Sequence, residues 1–292
     1  MFYYKKFNKS KFRKRVREFW ELNIPDDFDN PLARISEVVR FGGTALYPFS
    51  WDEFEPGTTF WRVRRMELQD IRDSLSANDL WMPPRKFAAA GRMNRHGEPL
   101  LYTTMGSPSG SFAEARVAEG DPFLLIRYEI SNTVELKRVG VSNHDPELPR
   151  TYQMFEREVS AFLNDVMSIR EDRFGPGVYA ITADLLEALF SLELQQAGWV
   201  YNSTLIPNAR NAAFTPVFAQ ATLTPTTVFG GISGTQGDMS PEISIRYAAP
   251  VTYLHAKRVP IADMQVKHWL PIESAVREAS AVLESLIDWV FD

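Results

Sequence analysis

The sequence contains no cysteine, which excludes disulfide bonds, thiolate nucleophiles and thiolate metal ligands. It also has few histidines, and they are scattered: His96, His144, His255 and His268. Because they show neither HExxH nor HxH spacing, we expect no metal site. No apolar run reaches about eighteen residues, and the N-terminus lacks the apolar stretch of a signal peptide. These absences predict a soluble, cytoplasmic protein that does not enter a membrane.

An excess of positive charge is also missing. The net charge is −5, from 37 acidic and 32 basic residues, so the protein as a whole has no electrostatic attraction to nucleic acid. Residues 5–17 nevertheless contain eight Lys and Arg. A helix capped by Ser10 would place four apolar residues on one face: Phe12, Val16, Phe19 and Trp20. Such a helix either packs on the body of the protein or presents its basic face to nucleic acid or an acidic partner.

The pattern of apolar residues along the sequence changes near residue 57. Residues 1–57 are predicted to form a mostly helical N-terminal extension, and residues 58–292 a domain that holds the chemistry. Apolar runs of strand length cover 60–64, 99–104, 122–130 and 199–201. Helical spacing of apolar residues covers 151–170, 182–197 and 272–291. Because strands and helices do not alternate regularly, we predict an α+β fold.

One glycine-rich stretch invites comparison with phosphate-binding loops. Residues 230–237 contain four glycines but match neither GxGxxG nor GxxxxGK[ST]. We therefore expect the region 225–240 to include a flexible surface loop and not a nucleotide-binding motif.

Two arginines lie on the first predicted strand of the domain. Alternation along 60–64 places Arg62 and Arg64 on one face and Val63 on the other. Two guanidinium groups on one face repel each other, but such a face is well suited to phosphate, to which Arg donates bidentate hydrogen bonds. The strand therefore either binds an anionic ligand or is a solvated face with carboxylate partners.

A turn and a short helix follow this strand. Gly91 allows the backbone to approach a ligand closely, and a turn after Asn94 would bring Arg92 near Tyr102. Glu114 lies on a helix-like segment and would point back at the tyrosine. Alone, the turn is equally typical of a surface hairpin, and a glutamate in such a helix is more commonly an ordinary exposed residue.

Taken together, these motifs resemble the RES domain, a family named for its Arg, Glu and Ser. The matching residues are Trp61-Arg62, Gly91-Arg92, Asn94, Gly97, Tyr102, Glu114, Ser203 and Arg210-Asn211. The resemblance is clearest over residues 58–220. The chain departs from many relatives at Met93, where they have Trp or Ala, and at Asn202, where they have Pro. Both changes concern the shape of the pocket and leave the reactive side-chain types in place.

The resemblance implies an ADP-ribosyltransferase-like fold and an enzyme that degrades NAD⁺ as its substrate, with no prosthetic group. Many members act as the toxin of a toxin–antitoxin pair, so the implied partner is a cognate antitoxin protein, and contact with nucleic acid is expected only through that antitoxin. Arg62 and Arg92 would bind the pyrophosphate, with Arg64 as a further candidate. Glu114 would stabilise the oxocarbenium-like ribose that departing nicotinamide leaves behind.

The remaining residues of the implied site are polar. Tyr102 would stack on or hydrogen-bond the nicotinamide–ribose end, and Ser203 would hold a ribose hydroxyl or the carboxamide. Ser203 is not expected to be a nucleophile, because no histidine is near it in sequence. Asn94 and Asn211 complete the set that we expect to bind NAD⁺. Water, phosphate or a protein side chain remains open as the acceptor.

Two other functions remain open at this point. The same fold would also suit an ADP-ribosyltransferase that modifies a protein. Alternatively, the chain is an interaction or nucleic-acid-binding module with an inactive site, which only the basic N-terminus supports.

Overall fold

The computed structural model describes residues 7–21, 31–41, 44–45, 47–48, 50–142, 146–169, 178–190, 197–237, 240–250, 270–271 and 277. The helices are α1 Lys9–Glu21, α2 Pro31–Val38, α3 Leu68–Asp73, α4 Ser109–Glu114, α5 Arg150–Met167, α6 Val178–Phe190 and α7 Pro216–Thr222, with 3₁₀ turns at Ala77–Leu80 and Arg85–Phe87. The strands are β1 Arg40–Phe41, β2 Thr44–Ala45, β3 Trp51–Phe54, β4 Thr59–Arg65, β5 Leu101–Met105, β6 Pro122–Ile130, β7 Val134–Val139, β8 Gly198–Asn202, β9 Arg210–Phe214, β10 Leu223–Gly237, β11 Ser240–Pro250 and β12 Leu270–Pro271.

Among these residues, ten strands form one mixed sheet in the order β12-β11-β10-β6-β4-β5-β9-β8-β7-β3. Its neighbouring strands are antiparallel except β7 and β8, which run parallel. Parallel neighbours need a long crossover, and α5 and α6 lie between these two strands in the chain. The predicted α+β class is confirmed.

The two faces of the sheet are covered by separate hydrophobic clusters. Alternation along β9 shows this directly, because Ala213 belongs to one cluster while Ala212 and Phe214 belong to the other. The first cluster includes residues of α1, α2, α5 and α6. Strand β6 lies between covered faces, so residues 123–126 are all fully buried. This explains why the predicted strand 122–130 reads as a continuous apolar run.

The N-terminal helix packs on the body of the protein, as one of the two interpretations of its sequence predicted. Phe12 and Phe19 are buried, and the Phe19 ring lies 5.2 Å from that of Phe162 on α5. Its basic face is partly neutralised, since Lys9 and Arg13 form ion pairs with Glu158 at 2.9 and 2.8 Å. The charge available to nucleic acid or an acidic partner is correspondingly reduced.

Several details of the prediction need correction. Asn8, and not Ser10, caps α1, because its Oδ1 accepts a hydrogen bond from the Lys11 amide at 3.0 Å. The extension also contributes a strand, β3, which pairs with β7. Helix α6 begins at Val178, earlier than the predicted start at 182. The predicted helix 272–291 lies outside the described residues except for Arg277.

The prediction of a flexible loop at 230–237 is wrong. These residues form the second half of β10, which pairs with β11 on one side and, through Ile232, with β6 on the other. Glycine disfavours strands in isolation, but pairing with β11, and with β6 as well over residues 230–232, overrides this preference. Gly230 and Gly231 flank a shift in the register between β10 and β11, an irregularity that glycine accommodates well.

Among the described residues, no helix is both long enough and apolar enough to pass through a bilayer.

Candidate functional site

The sheet splits between β4 and β5. These strands pair only at Phe60–Met105 and Trp61–Thr104. Beyond that point β4 continues beside β6, and β5 continues beside β9. A cleft of about 440 Å³ opens at the split, and its walls include residues of β4, β5, α4, α6, β8 and β9. This volume lies within the range of ordinary ligand pockets.

Five of the eight residues predicted for the site line this cleft: Arg62, Arg92, Tyr102, Glu114 and Asn211. Ser203 contacts the cleft indirectly through Glu114. Arg64 and Asn94 are not part of the lining, and their side chains bind other parts of the protein. The fold therefore brings together residues that are up to 149 positions apart, from Arg62 to Asn211.

The carboxylate of Glu114 is held by two donors. Its Oε1 accepts hydrogen bonds from Ser203 Oγ and Asn211 Nδ2, both at 2.7 Å. The Ser203 hydroxyl in turn accepts from the amides of Leu205 and Ile206, at 3.1 and 3.0 Å, so its proton is directed to the carboxylate. Within the described part of the chain, Oε2 receives no hydrogen bond, and it is the oxygen available to a ligand.

The two arginines of β4 share one face, as alternation predicted, but they differ in use. Arg62 lines the cleft and donates from Nη1 to the carbonyl of Trp81 at 2.5 Å. Arg64 donates to the carbonyl of Asp79 and lies 3.8 Å from its carboxylate. Burial, and secondarily the charge of Arg62, lowers the pKa of Arg64. Both arginines thus bind the backbone at or next to the 3₁₀ turn Ala77–Leu80, but only Arg62 also lines the cleft.

Tyr102 is fixed in the wall by the loop that precedes it. Its hydroxyl donates to Asn94 Oδ1 at 2.6 Å and accepts from the Met93 amide at 3.0 Å. Burial raises the pKa of Tyr102, so the phenol stays protonated at neutral pH. The Asn94 amide closes the loop by donating to three carbonyls: those of Ala89, Arg95 and Glu98. Asn94 therefore positions Tyr102 without lining the cleft.

Gly91 lines the cleft, and its lack of a side chain also allows close approach within the protein. A Cβ atom at this position would lie 2.8 Å from both the Tyr102 hydroxyl and Asn94 Oδ1. Such a contact is too short for any real Cβ atom. Glycine at 91 therefore allows Tyr102 and Asn94 to meet.

The lining also contains residues that the sequence analysis did not single out. Tyr201 and Tyr179 stand with Tyr102 in the cleft wall, and burial raises the pKa of Tyr201. Strand alternation was a usable signal for Tyr201, which lies two residues before Ser203. Arg116, two residues after Glu114, also lines the cleft. No sequence pattern marked Arg116.

In the described part of the chain, no group of three or more His, Asp or Glu side chains is placed to hold a metal ion. Comparison of the chain with protein-family models found no match, and comparison with curated proteins found none. What the cleft does is therefore inferred from its own side chains.

Proposed function

We propose that this protein binds NAD⁺ in the cleft between β4 and β5 and breaks its nicotinamide–ribose bond. The observation that carries the proposal is the Glu114 carboxylate, which Ser203 and Asn211 hold at 2.7 Å on Oε1 in a cleft that arginines also line. The other oxygen accepts no hydrogen bond from the described residues. This arrangement suits a carboxylate that interacts with a positively charged or hydroxyl-bearing ligand.

The chemistry follows from the charges. When the C1′–N bond breaks, its electron pair leaves with nicotinamide and the ribose becomes oxocarbenium-like. A fixed carboxylate lowers the energy of that cation without reorganising, and it can also hydrogen-bond a ribose hydroxyl. Water then adds to C1′ and loses a proton, which yields ADP-ribose; phosphate as acceptor would yield the 1″-phosphate instead.

The remaining side chains are suited to binding. Arg62 donates to the Trp81 carbonyl and also interacts with the Tyr128 hydroxyl, and Arg92 donates to Thr204 Oγ1. A guanidinium carries five N–H donors, so both retain donors for the two negative charges of the pyrophosphate. The tyrosines at 102, 179 and 201 supply aromatic surface for the nicotinamide ring. Ser203 acts as a positioning residue for Glu114.

The proposal includes the finer features that the resemblance implies. The fold would be of the ADP-ribosyltransferase-like RES type, with the substrate in the split of its sheet. The enzyme would act in the cytoplasm as a toxin that depletes NAD⁺, and a cognate antitoxin protein would block the cleft. An ADP-ribosyltransferase acting on a protein would differ only in the acceptor.

The decisive experiment incubates the purified protein with NAD⁺ and separates the products by chromatography. We expect nicotinamide and ADP-ribose in equal amounts. When phosphate is the acceptor, we expect the 1″-phosphate of ADP-ribose in place of ADP-ribose. Mass spectrometry of added cell extract would reveal a modified protein if the acceptor is a side chain. If NAD⁺ stays intact under all these conditions, the proposed cleavage is wrong.

Expression in bacteria tests the cellular consequence. Cells that express the wild-type chain should stop growing as their NAD⁺ falls, because depletion of a central cofactor arrests metabolism. Cells that express Glu114→Gln at the same level should grow normally. Equal toxicity of both proteins, or normal growth and NAD⁺ with the wild type, would contradict the toxin proposal.

A further inference from the structure

Arg116 is a cation at the cleft whose position carries a conformational cost. It follows Glu114 by two residues and lines the cleft together with Arg62 and Arg92. Its φ angle is 51°, in the left-handed region that residues with a Cβ atom rarely adopt. The described residues include only one other non-glycine residue with positive φ, Asn208, and asparagine tolerates this region better than arginine.

The strained backbone results from the way α4 ends. The Arg116 amide donates to the Ala113 carbonyl at 3.0 Å, and the Val117 amide donates to the Phe112 carbonyl at 3.2 Å. These two bonds form a Schellman motif, in which the left-handed position is usually glycine. Arginine at this position therefore destabilises the end of the helix relative to glycine. The presence of arginine here must have a reason other than the stability of the helix end.

The backbone of Arg116 is fixed while its side chain is available. Arg65 donates to the Arg116 carbonyl and also forms an ion pair with Asp121 at 3.2 Å. The Arg116 side chain is exposed, and among the described residues its guanidinium forms no hydrogen bond or ion pair. Arg62 and Arg92, by contrast, each donate to a protein acceptor.

The charge balance and the position indicate what this guanidinium binds. The charged residues in the cleft lining are three arginines and one glutamate, so the cleft favours an anion. In NAD⁺, one ribose separates the bond to nicotinamide from the diphosphate. Glu114 and Arg116 both line the cleft, and two residues of backbone place their Cα atoms at most about 7 Å apart, so the long Arg116 side chain can reach a ligand that lies against the Glu114 carboxylate.

We propose that Arg116 is a binding residue for the diphosphate of the nucleotide ligand, and that this contact explains why arginine occupies a position suited to glycine. The identification of the ligand as NAD⁺ rests on the proposed function. The diphosphate contact itself requires only a nucleoside diphosphate ligand.

The variant Arg116→Gly separates binding from folding, because it removes the guanidinium and also relieves the positive φ. Its melting temperature should equal or exceed that of the wild type, while its affinity for ADP-ribose, measured by calorimetry, should fall about tenfold. Arg116→Lys should recover part of the affinity. Asn208→Gly is the matched control, since it replaces the other positive-φ residue, which does not line the cleft, and ADP-ribose affinity should not change.

ADP-ribose already lacks nicotinamide, so this measurement does not depend on cleavage. If NAD⁺ is not hydrolysed but ADP-ribose binding depends on Arg116, the proposed reaction fails and the diphosphate contact stands. The inference is overturned if Arg116→Gly binds ADP-ribose as tightly as the wild type, or if the wild type does not bind it.

Discussion

The two sides of the cleft are built in different ways. On the β5–β9 side, polar side chains hold one another, as Asn94 holds Tyr102 and Asn211 helps to hold Glu114. On the β4 side, Arg62 donates to the backbone of a neighbouring turn and has donors left over. The first side fixes geometry, and positive charge comes from Arg62 on the second side and from Arg92 in the loop that precedes β5. Changes in the fixed polar contacts should therefore affect the rate or the fold, and changes of the arginines the affinity.

The largest effect is expected from Glu114→Gln. The Gln carbonyl oxygen can still accept from Ser203 and Asn211, so shape and hydrogen bonds are kept while the negative charge is lost. NAD⁺ turnover should fall at least a hundredfold, because the cationic ribose loses its counter-charge, whereas binding should change little.

Steady-state kinetics and calorimetry on the same samples test this difference between rate and affinity, and the melting temperature verifies the fold. Turnover within about threefold of the wild type would show that Glu114 does not stabilise the transition state.

An intermediate effect should distinguish the two arginines of β4. Arg62→Ala removes charge-assisted hydrogen bonds worth about 1.5–3 kcal/mol, so NAD⁺ binding should weaken at least tenfold. Arg92→Ala should act similarly. Arg64→Ala should lower the melting temperature by loosening the turn at Asp79, with affinity nearly unchanged. Calorimetric titration of the three variants with NAD⁺ measures this difference. If Arg62→Ala and Arg64→Ala lose the same amount of NAD⁺ affinity, the two arginines do not have the separate roles assigned to them.

This contrast also shows how far the sequence could predict the site. Strand alternation placed Arg62 and Arg64 on one face correctly, because a period of two is a local property. It could not tell which arginine lines the cleft, since that depends on where β4 parts from β5 and on the position of the 3₁₀ turn. These are contacts between distant segments, which local patterns do not encode.

The errors have similar physical causes. The strand at 230–237 was missed because glycine has low strand propensity, and the strand is revealed only by its pairing with β11 and, over residues 230–232, with β6. Arg116 was missed because its left-handed backbone depends on how α4 ends. Gly91 was singled out for the approach of a ligand, which stays a prediction; the sequence did not show that Tyr102 also approaches it, because the position of Tyr102 depends on the folded loop.

The smallest expected effect on chemistry, and a sharp test of the fixed side, is Gly91→Ala. The added methyl group would lie 2.8 Å from the Tyr102 hydroxyl and from Asn94 Oδ1, so the loop or the ring must shift. We expect a loss of about 1–3 kcal/mol in unfolding free energy, which is typical of overpacking. Because the tyrosine hydroxyl is one of the two clashing atoms, Tyr102→Phe in the same chain should recover part of that loss.

A double-mutant cycle by denaturant unfolding measures the coupling between these two positions. Tyr102→Phe alone should destabilise the protein, because it leaves Asn94 Oδ1 and the Met93 amide without their partner. In the presence of Gly91→Ala the same change should cost less or become favourable. Strictly additive effects would mean that position 91 does not contact the tyrosine, and the glycine would then need a different explanation.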